Sequence, residues 1–216
     1  MKNMNISQKI SKVWMVAACL LVCMVAALSS CKSPAPEEKS EPEVFDRDKA
    51  TLLKIVKVEY RGSLAPQGNN TYEAINLCDG NNATAWAISL DKVGIYDDNQ
   101  FQGPVFTVNC KKLSHIIIRN GYCKSTDAFK NNTRAAKISF MSLTDDKNGN
   151  NEHLLFYGFL KDEPTPQRLD VPLDLTDNNN ITQIRMDFNT QINGGYYPGR
   201  KWNDLCISEV EFWGFE

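Results

Sequence analysis

Histidine is nearly absent, and the motifs that usually carry chemistry are missing. There are two histidines in 216 residues, His115 and His153. Both lie beside apolar runs with no patterned Ser, Cys or metal-ligand partner, which argues against a catalytic triad or a His-based metal centre. The sequence contains no phosphate loop and no dinucleotide fingerprint. No C-x-x-C pair occurs either, which counts against zinc. Basic charge is not in excess, with 24 Lys and Arg against 26 Asp and Glu. Such a chain is not built to hold nucleic acid or anionic lipid heads. Outside the first thirty residues there is no repeat and no long amphipathic stretch.

What is present begins with an N-terminal address. Lys2, Lys9 and Lys12 form a positive head, and Val13 to Leu28 is an apolar run, short for a membrane span, followed by small residues. Residues 1–30 therefore read as a signal peptide. Leu28-Ser29-Ser30-Cys31 resembles a bacterial lipobox, which implies cleavage before Cys31, diacylation of its thiol and a lipid-anchored place at the outer membrane, on its periplasmic or its cell-surface side. The mature chain then carries 21 basic against 26 acidic residues, a net charge near −5. Residues 31–50 hold three prolines and several charges and bury too little to fold, so they are expected to form a tether. The acidic run near Cys31 resembles surface-export signals of Bacteroidetes lipoproteins.

From Thr51 to residue 216 the composition turns globular, with enough chain for one core. Period-two patterning dominates. Leu53 to Val58, Val105 to Cys110, Leu113 to Arg119, Ile138 to Ser142, His153 to Leu160, Arg168 to Val171, Ile184 to Phe188 and Leu205 to Trp213 give about eight strands. Helix is expected only near Tyr72 to Leu77 and Asp127 to Asn131. An all-β sandwich or jelly roll follows. Four cysteines fall in this part, Cys78, Cys110, Cys123 and Cys206; they allow three disulfide pairings, or none.

Three loops collect polar and aromatic groups. Tyr197-Pro198-Gly199-Arg200-Lys201-Trp202-Asn203-Asp204 is a turn crowded with rings and cations, suited to a planar polyhydroxyl ligand whose apolar face stacks on aromatics. Asn120-Gly121-Tyr122-Cys123-Lys124-Ser125 ends a strand in the same way. Asp79-Gly80-Asn81-Asn82 is a tight turn in which several oxygens can converge.

Together these pieces resemble a known family. Leu77-Cys78-Asp79-Gly80, then Thr84 and Trp86, with Ile207-Ser208-Glu209-Val210-Glu211-Phe212-Trp213-Gly214 at the end, is the bracketing pattern of the galactose-binding-like, discoidin or coagulation-factor type C superfamily. The Asn120 to Ser125 loop, followed by Phe129, Asn132 and Arg134, and the Tyr197 to Asp204 loop are similar to its NADase-type glycan-binding branch. The resemblance implies a galactose-binding-like jelly roll with no NAD-cleaving activity of its own and a glycan as partner. It implies ligand contacts from Tyr122, Lys124, Tyr197, Arg200, Lys201, Trp202 and Asp204. It also implies a structural calcium held by Asp79, Thr84 and Glu209. Against calcium stands a plain turn, with Asp79 capping it and Glu209 bonding its amides.

The competing readings are a structural or protein-binding module of the cell envelope and a glycoside hydrolase. Glu209 and Glu211 share one strand face, and Asp97-Asp98 sits in a polar loop, but both glutamates already belong to the terminal strand pattern.

Overall fold

The computed structural model describes residues 43–92, 100–146, 149–189 and 195–216. The expected signal peptide (residues 1–30), Cys31, most of the expected tether and Asp97-Asp98 lie outside the described residues.

The strands in chain order are β1 (Thr51–Leu52), β2 (Lys57–Glu59), β3 (Trp86–Ser89), β4 (Gln100–Phe101), β5 (Val105–Cys110) and β6 (Lys112–Asn120). They continue with β7 (Arg134–Ala135), β8 (Lys137–Asp146), β9 (Gly149–Phe159), β10 (Gln167–Asp170), β11 (Ile181–Asn189), β12 (Tyr196–Tyr197) and β13 (Asp204–Phe215). One short helix, α1 (Thr126–Asn131), and two 3₁₀ turns, Arg47–Lys49 and Ala74–Leu77, complete the order.

Two antiparallel sheets face each other. One runs β1-β13-β6-β10, with β3 on the first part of β13; the other runs β2-β5-β11-β8-β9, with β4 on β11. The expected jelly-roll sandwich with little helix is what forms. Alternation explains why. Phe106, Ile116, Ile118, Ile138, Phe140, Ile184, Met186, Phe188, Val210 and Phe212 occupy every second place on their strands, and all are essentially buried. Phe106 and Phe140 each meet Phe212 edge to face, at 5.0 and 6.5 Å. Each large apolar side chain buried in this way contributes roughly 1.5–3 kcal/mol. Trp86 stacks on Phe188 at 5.5 Å and is fully buried, so it belongs to the core.

The eight expected strands recur with two differences. The alternation over Leu53 to Val58 is broken: β1 ends at Leu52 and β2 starts at Lys57, with Leu53 tucked into the core between them. The short β3, β4, β7 and β12 were not foreseen, because two to four residues carry no period. The sandwich also recruits chain upstream of residue 51. The Phe45 ring lies 5.0 Å from that of Phe215, and the Arg47 guanidinium donates to the carbonyls of Ser114 and Val171.

All four cysteines are free thiols. Burial pushes the thiols of Cys78 and Cys110 up to about 11 and about 12 and raises Cys206 further, which keeps them protonated and unreactive. His115 is buried and stacks on Trp213 at 5.5 Å; burial and nearby Arg168 lower its pKa. His153 sits at the surface, 3.6 Å from Asp177.

Candidate carbohydrate-binding cleft and its supporting loop

The cleft forms where β6 ends and β13 begins. Gly121 follows β6 with φ +84°, and a Cβ there would lie 2.6 Å from the Arg134 side chain and 2.8 Å from the Phe129 ring. Only glycine permits that turn and that approach. It delivers Tyr122 inward, and the amide of Cys123 then donates to Ser208 Oγ at 2.9 Å. Ser125 caps α1 by accepting from the Ala128 amide at 3.0 Å.

The loop before β13 is stapled to the far end of α1. Amides of Arg200, Lys201 and Trp202 donate to the carbonyls of Lys130 and Asn131 at 3.0, 3.2 and 2.9 Å. Those are carbonyls that a helix C-terminus leaves without internal partners. Gly199 lies so close that a Cβ would be 2.5 Å from the Asn131 carbonyl oxygen. Arg134, 5% exposed, locks the junction. Its Nε and Nη2 donate to both oxygens of Asp162 at 2.8 and 2.9 Å, and its Nη1 donates to the carbonyls of Phe129, Asn132 and Pro198.

Between these pieces lies a cleft of about 300 Å³. Its floor is Tyr72 and Tyr122, 6.2 Å apart edge to face, with Ala87 and Cys206. Asn70, Asn131, Asn132, Asp127 and Asp204 form its walls, and Trp202, 50% exposed, stands at its rim. Tyr72 and Tyr122 are 6% and 7% exposed, and among the described residues neither hydroxyl has a protein hydrogen-bond partner. Burial, followed by the charge of Asp91, raises the carboxyl of Asp204; Lys92 opposes the shift.

The residues singled out in the sequence divide accordingly. Tyr122, Trp202 and Asp204 line the cleft together. Lys124 stands beside it, donating from Nζ to Asn70 Oδ1 at 2.8 Å, and Lys201 holds its ammonium 5.9 Å from the Trp202 ring centre. Tyr197 and Arg200 are not among the lining residues. The Tyr197 hydroxyl is spent on the Leu160 carbonyl at 2.8 Å, and residue 197 is held in β12 by its pairing with Arg134. The Arg200 side chain is exposed. Tyr72, Asn70 and Asp127 were missed as wall and floor. The signal for Asn70 and Tyr72 was Gln67-Gly68-Asn69-Asn70-Thr71-Tyr72, an amide-rich turn leading into an aromatic, the same make-up as the two loops that were noticed.

Asp79, Thr84 and Glu209 converge in a second place. Thr84 Oγ1 lies 2.8 Å from Asp79 Oδ2 and 2.7 Å from the Asn81 carbonyl, while the Asn81 amide donates to Asp79 Oδ1 at 2.9 Å and to Glu209 Oε1 at 2.8 Å. Glu209 is 7% exposed; burial, the facing Asp79 carboxyl and Glu211 push it up to about 7, against the opposing Asn81 amide. Two apposed carboxylates, a hydroxyl and a carbonyl are a donor set that fits a hard cation, which takes oxygen ligands and would relieve the crowding of the two acids. Among the described residues no cluster of three or more His, Cys, Asp or Glu suits a metal, so any ion here rests on these mixed oxygens. The loop also props the cleft, since Asn76 Nδ2 bridges the carbonyls of Thr71 and Ala85 at 2.8 and 3.0 Å, next to Tyr72. Glu211 accepts from Trp213 Nε1 at 3.0 Å.

Comparison with curated proteins gives no match. Among solved structures the chain is similar to a CBM32 module of Clostridium perfringens in complex with GalNAc-β-1,3-galactose, at 13% identity over 74% of this chain and 94% of that one, TM-score 0.47. It is similar to the family 32 carbohydrate-binding module of C. perfringens NanJ in complex with galactose, at 15% identity over 77% and 95%, TM-score 0.43. It is also similar to an F5/8 type C domain of Bacteroides fragilis, at 10% identity over 80% and 95%, TM-score 0.42. A family model matches residues 49–213, nearly all of the folded part, and the chain belongs to the NAD glycohydrolase translocation F5/8 type C domain family.

Proposed function

We propose that this protein is a non-catalytic glycan-binding module that holds one terminal sugar unit in the cleft between Tyr72, Tyr122 and Trp202. The observation that carries the reading is a half-exposed tryptophan at the mouth of a cleft floored by two largely buried tyrosines whose hydroxyls have no protein partner among the described residues. A pyranose has an apolar face for the indole and hydroxyls that can both donate and accept. The Asn70, Asn131 and Asn132 amides supply either role, and Asp127 and Asp204 accept. The volume, near the lower end for small-ligand sites, suits one sugar rather than a long chain. Binding here requires no bond to break; the cleft orients the sugar and excludes water from the tyrosine floor. The test is a glycan array probed with the intact protein and with Trp202→Ala, alongside assays for release of sugar from the bound glycans. A silent array supports the protein-binding reading instead, and sugar release supports a hydrolase.

Calcium belongs to the same proposal. Asp79 and Glu209 would hold it, with the Thr84 hydroxyl; when bound it supplies the charge that lets both acids ionise side by side. The sign of the pH dependence follows from Glu209. Its folded pKa, about 7, lies above its ordinary 4.5, so the fold favours the neutral acid. The stability it contributes is full below 4.5 and is lost as the pH rises to about 7. In chelator the melting temperature is expected to fall across that window. Added calcium is expected to restore it at pH 7, and to do little at pH 4.5, where the proton competes. A melting temperature at pH 7 that ignores both chelator and calcium leaves Asp79 and Glu209 as turn residues only.

The module is carried on a bacterial outer-membrane lipid anchor at Cys31, as the lipobox-like Leu28 to Cys31 suggests. Cys31→Ala is expected to abolish acyl labelling and release the protein from membranes. Unchanged fractionation and labelling overturn the anchor.

A further inference from the structure

The fixed charges lining the cleft have one sign. Asp127 and Asp204 contribute carboxylates to its walls, and no lysine or arginine is among the lining residues. Neither carboxylate has a hydrogen bond or ion pair among the described residues. The cations nearby are already engaged, two of them with residues of the cleft's own wall and rim. Lys124 donates to Asn70, Lys201 lies over Trp202, and Arg134 is turned away into Asp162. Lys92 does act on Asp204, but Asp91 acts against it more strongly. The floor adds an independent observation: Tyr72 and Tyr122, each more than nine-tenths buried, line the cleft, and neither hydroxyl has a protein partner among the described residues.

We propose that the cleft selects by charge, taking a hexosamine whose amino group is free and rejecting hexuronic and sialic acids. The proposal rests on the glycan-binding reading above and names its ligand class. A half-buried Asp204, on which Asp91 also acts, carries an electrostatic cost that a neutral sugar leaves in place. An ammonium removes it by forming charge-assisted hydrogen bonds to Asp204 and Asp127, while the ring stacks on Trp202 and its hydroxyls meet Tyr72 and Tyr122. N-acetylation erases the positive charge. A carboxylate on the sugar would instead face two like charges, with no lysine or arginine among the lining residues to receive it.

The experiment is a calorimetric titration of the intact protein, below the pKa of the sugar amine, with the methyl glycosides of glucosamine and galactosamine, their N-acetyl counterparts and the matching hexuronic acids. A lysine-containing peptide serves as the non-sugar ammonium. A free-amine sugar is expected to bind at least about tenfold tighter than its N-acetyl form and tighter still than the uronic acid. That ratio is expected to shrink toward one in high salt, and in Asp127→Asn and Asp204→Asn. Melting curves show whether each variant is folded; should Asp204→Asn fail, the exposed Asp127 carries the test. Equal or tighter binding of the N-acetyl sugar or the uronic acid overturns the charge selection and leaves glycan binding standing. A lysine peptide that binds as tightly as the amino sugar also overturns it. Binding of no sugar removes both readings together.

Discussion

Trp202→Ala is expected to remove glycan binding and to leave the melting temperature almost where it was. The ring is 50% exposed, and the loop that carries it is held by its backbone: the Trp202 amide donates to Asn131, and its carbonyl accepts from Thr133 Oγ1. Alanine keeps both contacts. The stability change is therefore that of an open surface position, within about 0.5 kcal/mol. Loss of an aromatic anchor at the mouth of a site costs about 2 kcal/mol or more, roughly thirtyfold in affinity. Melting and array signal measured on the same sample separate the two effects. A strongly destabilised variant, or one that still binds, means the indole is not the platform.

Arg134→Ala is the opposite kind of change. It is expected to cost about 3–5 kcal/mol, because one buried guanidinium satisfies a carboxylate and three carbonyls at once. For a domain of this size that is on the order of 10 °C in melting temperature. Cleft affinity should fall with it, since the Pro198 and Phe129 carbonyls belong to the loop and helix that hold the walls. Arg134→Lys is not expected to rescue: an ammonium cannot span Asp162 in two parallel bonds and also stack 5.0 Å over Phe129. Denaturant unfolding of the three proteins checks this. A cost below about 1 kcal/mol for Arg134→Ala would show that water replaces those bonds at little loss.

The sandwich was legible because its strands write their period in side chains. Ile184, Met186 and Phe188 face one way whatever surrounds them. The loops were legible only as composition. Tyr197 and Trp202 read alike in sequence, yet strand pairing with β7 commits one hydroxyl to Leu160 while the other ring is left at the mouth of a cleft. Side-chain direction in an irregular loop depends on what the backbone is stapled to, here the end of α1, and no local pattern encodes that partner. Tyr72 illustrates the same limit. It lies fifty residues before Tyr122, and only the packing of the 67–72 turn against β3 brings the two rings together. Asp79 and Glu209 were paired from the resemblance, and the backbone amide of Asn81 is what joins them.

Phe45 and Arg47 fasten the incoming chain beside Phe215 and Ser114, whereas the cleft opens beyond Asn120 and before Asp204. Along β6 that is nine residues, about 30 Å. A pull on the chain upstream of residue 45 is therefore met first by an aromatic pair, two guanidinium bonds and the two-residue β1, at the pole farthest from the cleft. Those contacts can peel one at a time, while β3, β6 and β13 keep the walls of the cleft in register. On the cleft side, β13 pairs first with β3 over Asp204 to Ile207 and then with β6 from Glu209 to Phe215, so a pull on that end loads two ladders along their length. The cleft end is thus the mechanically stiff one, and the end where the chain enters the sandwich is where the fold yields.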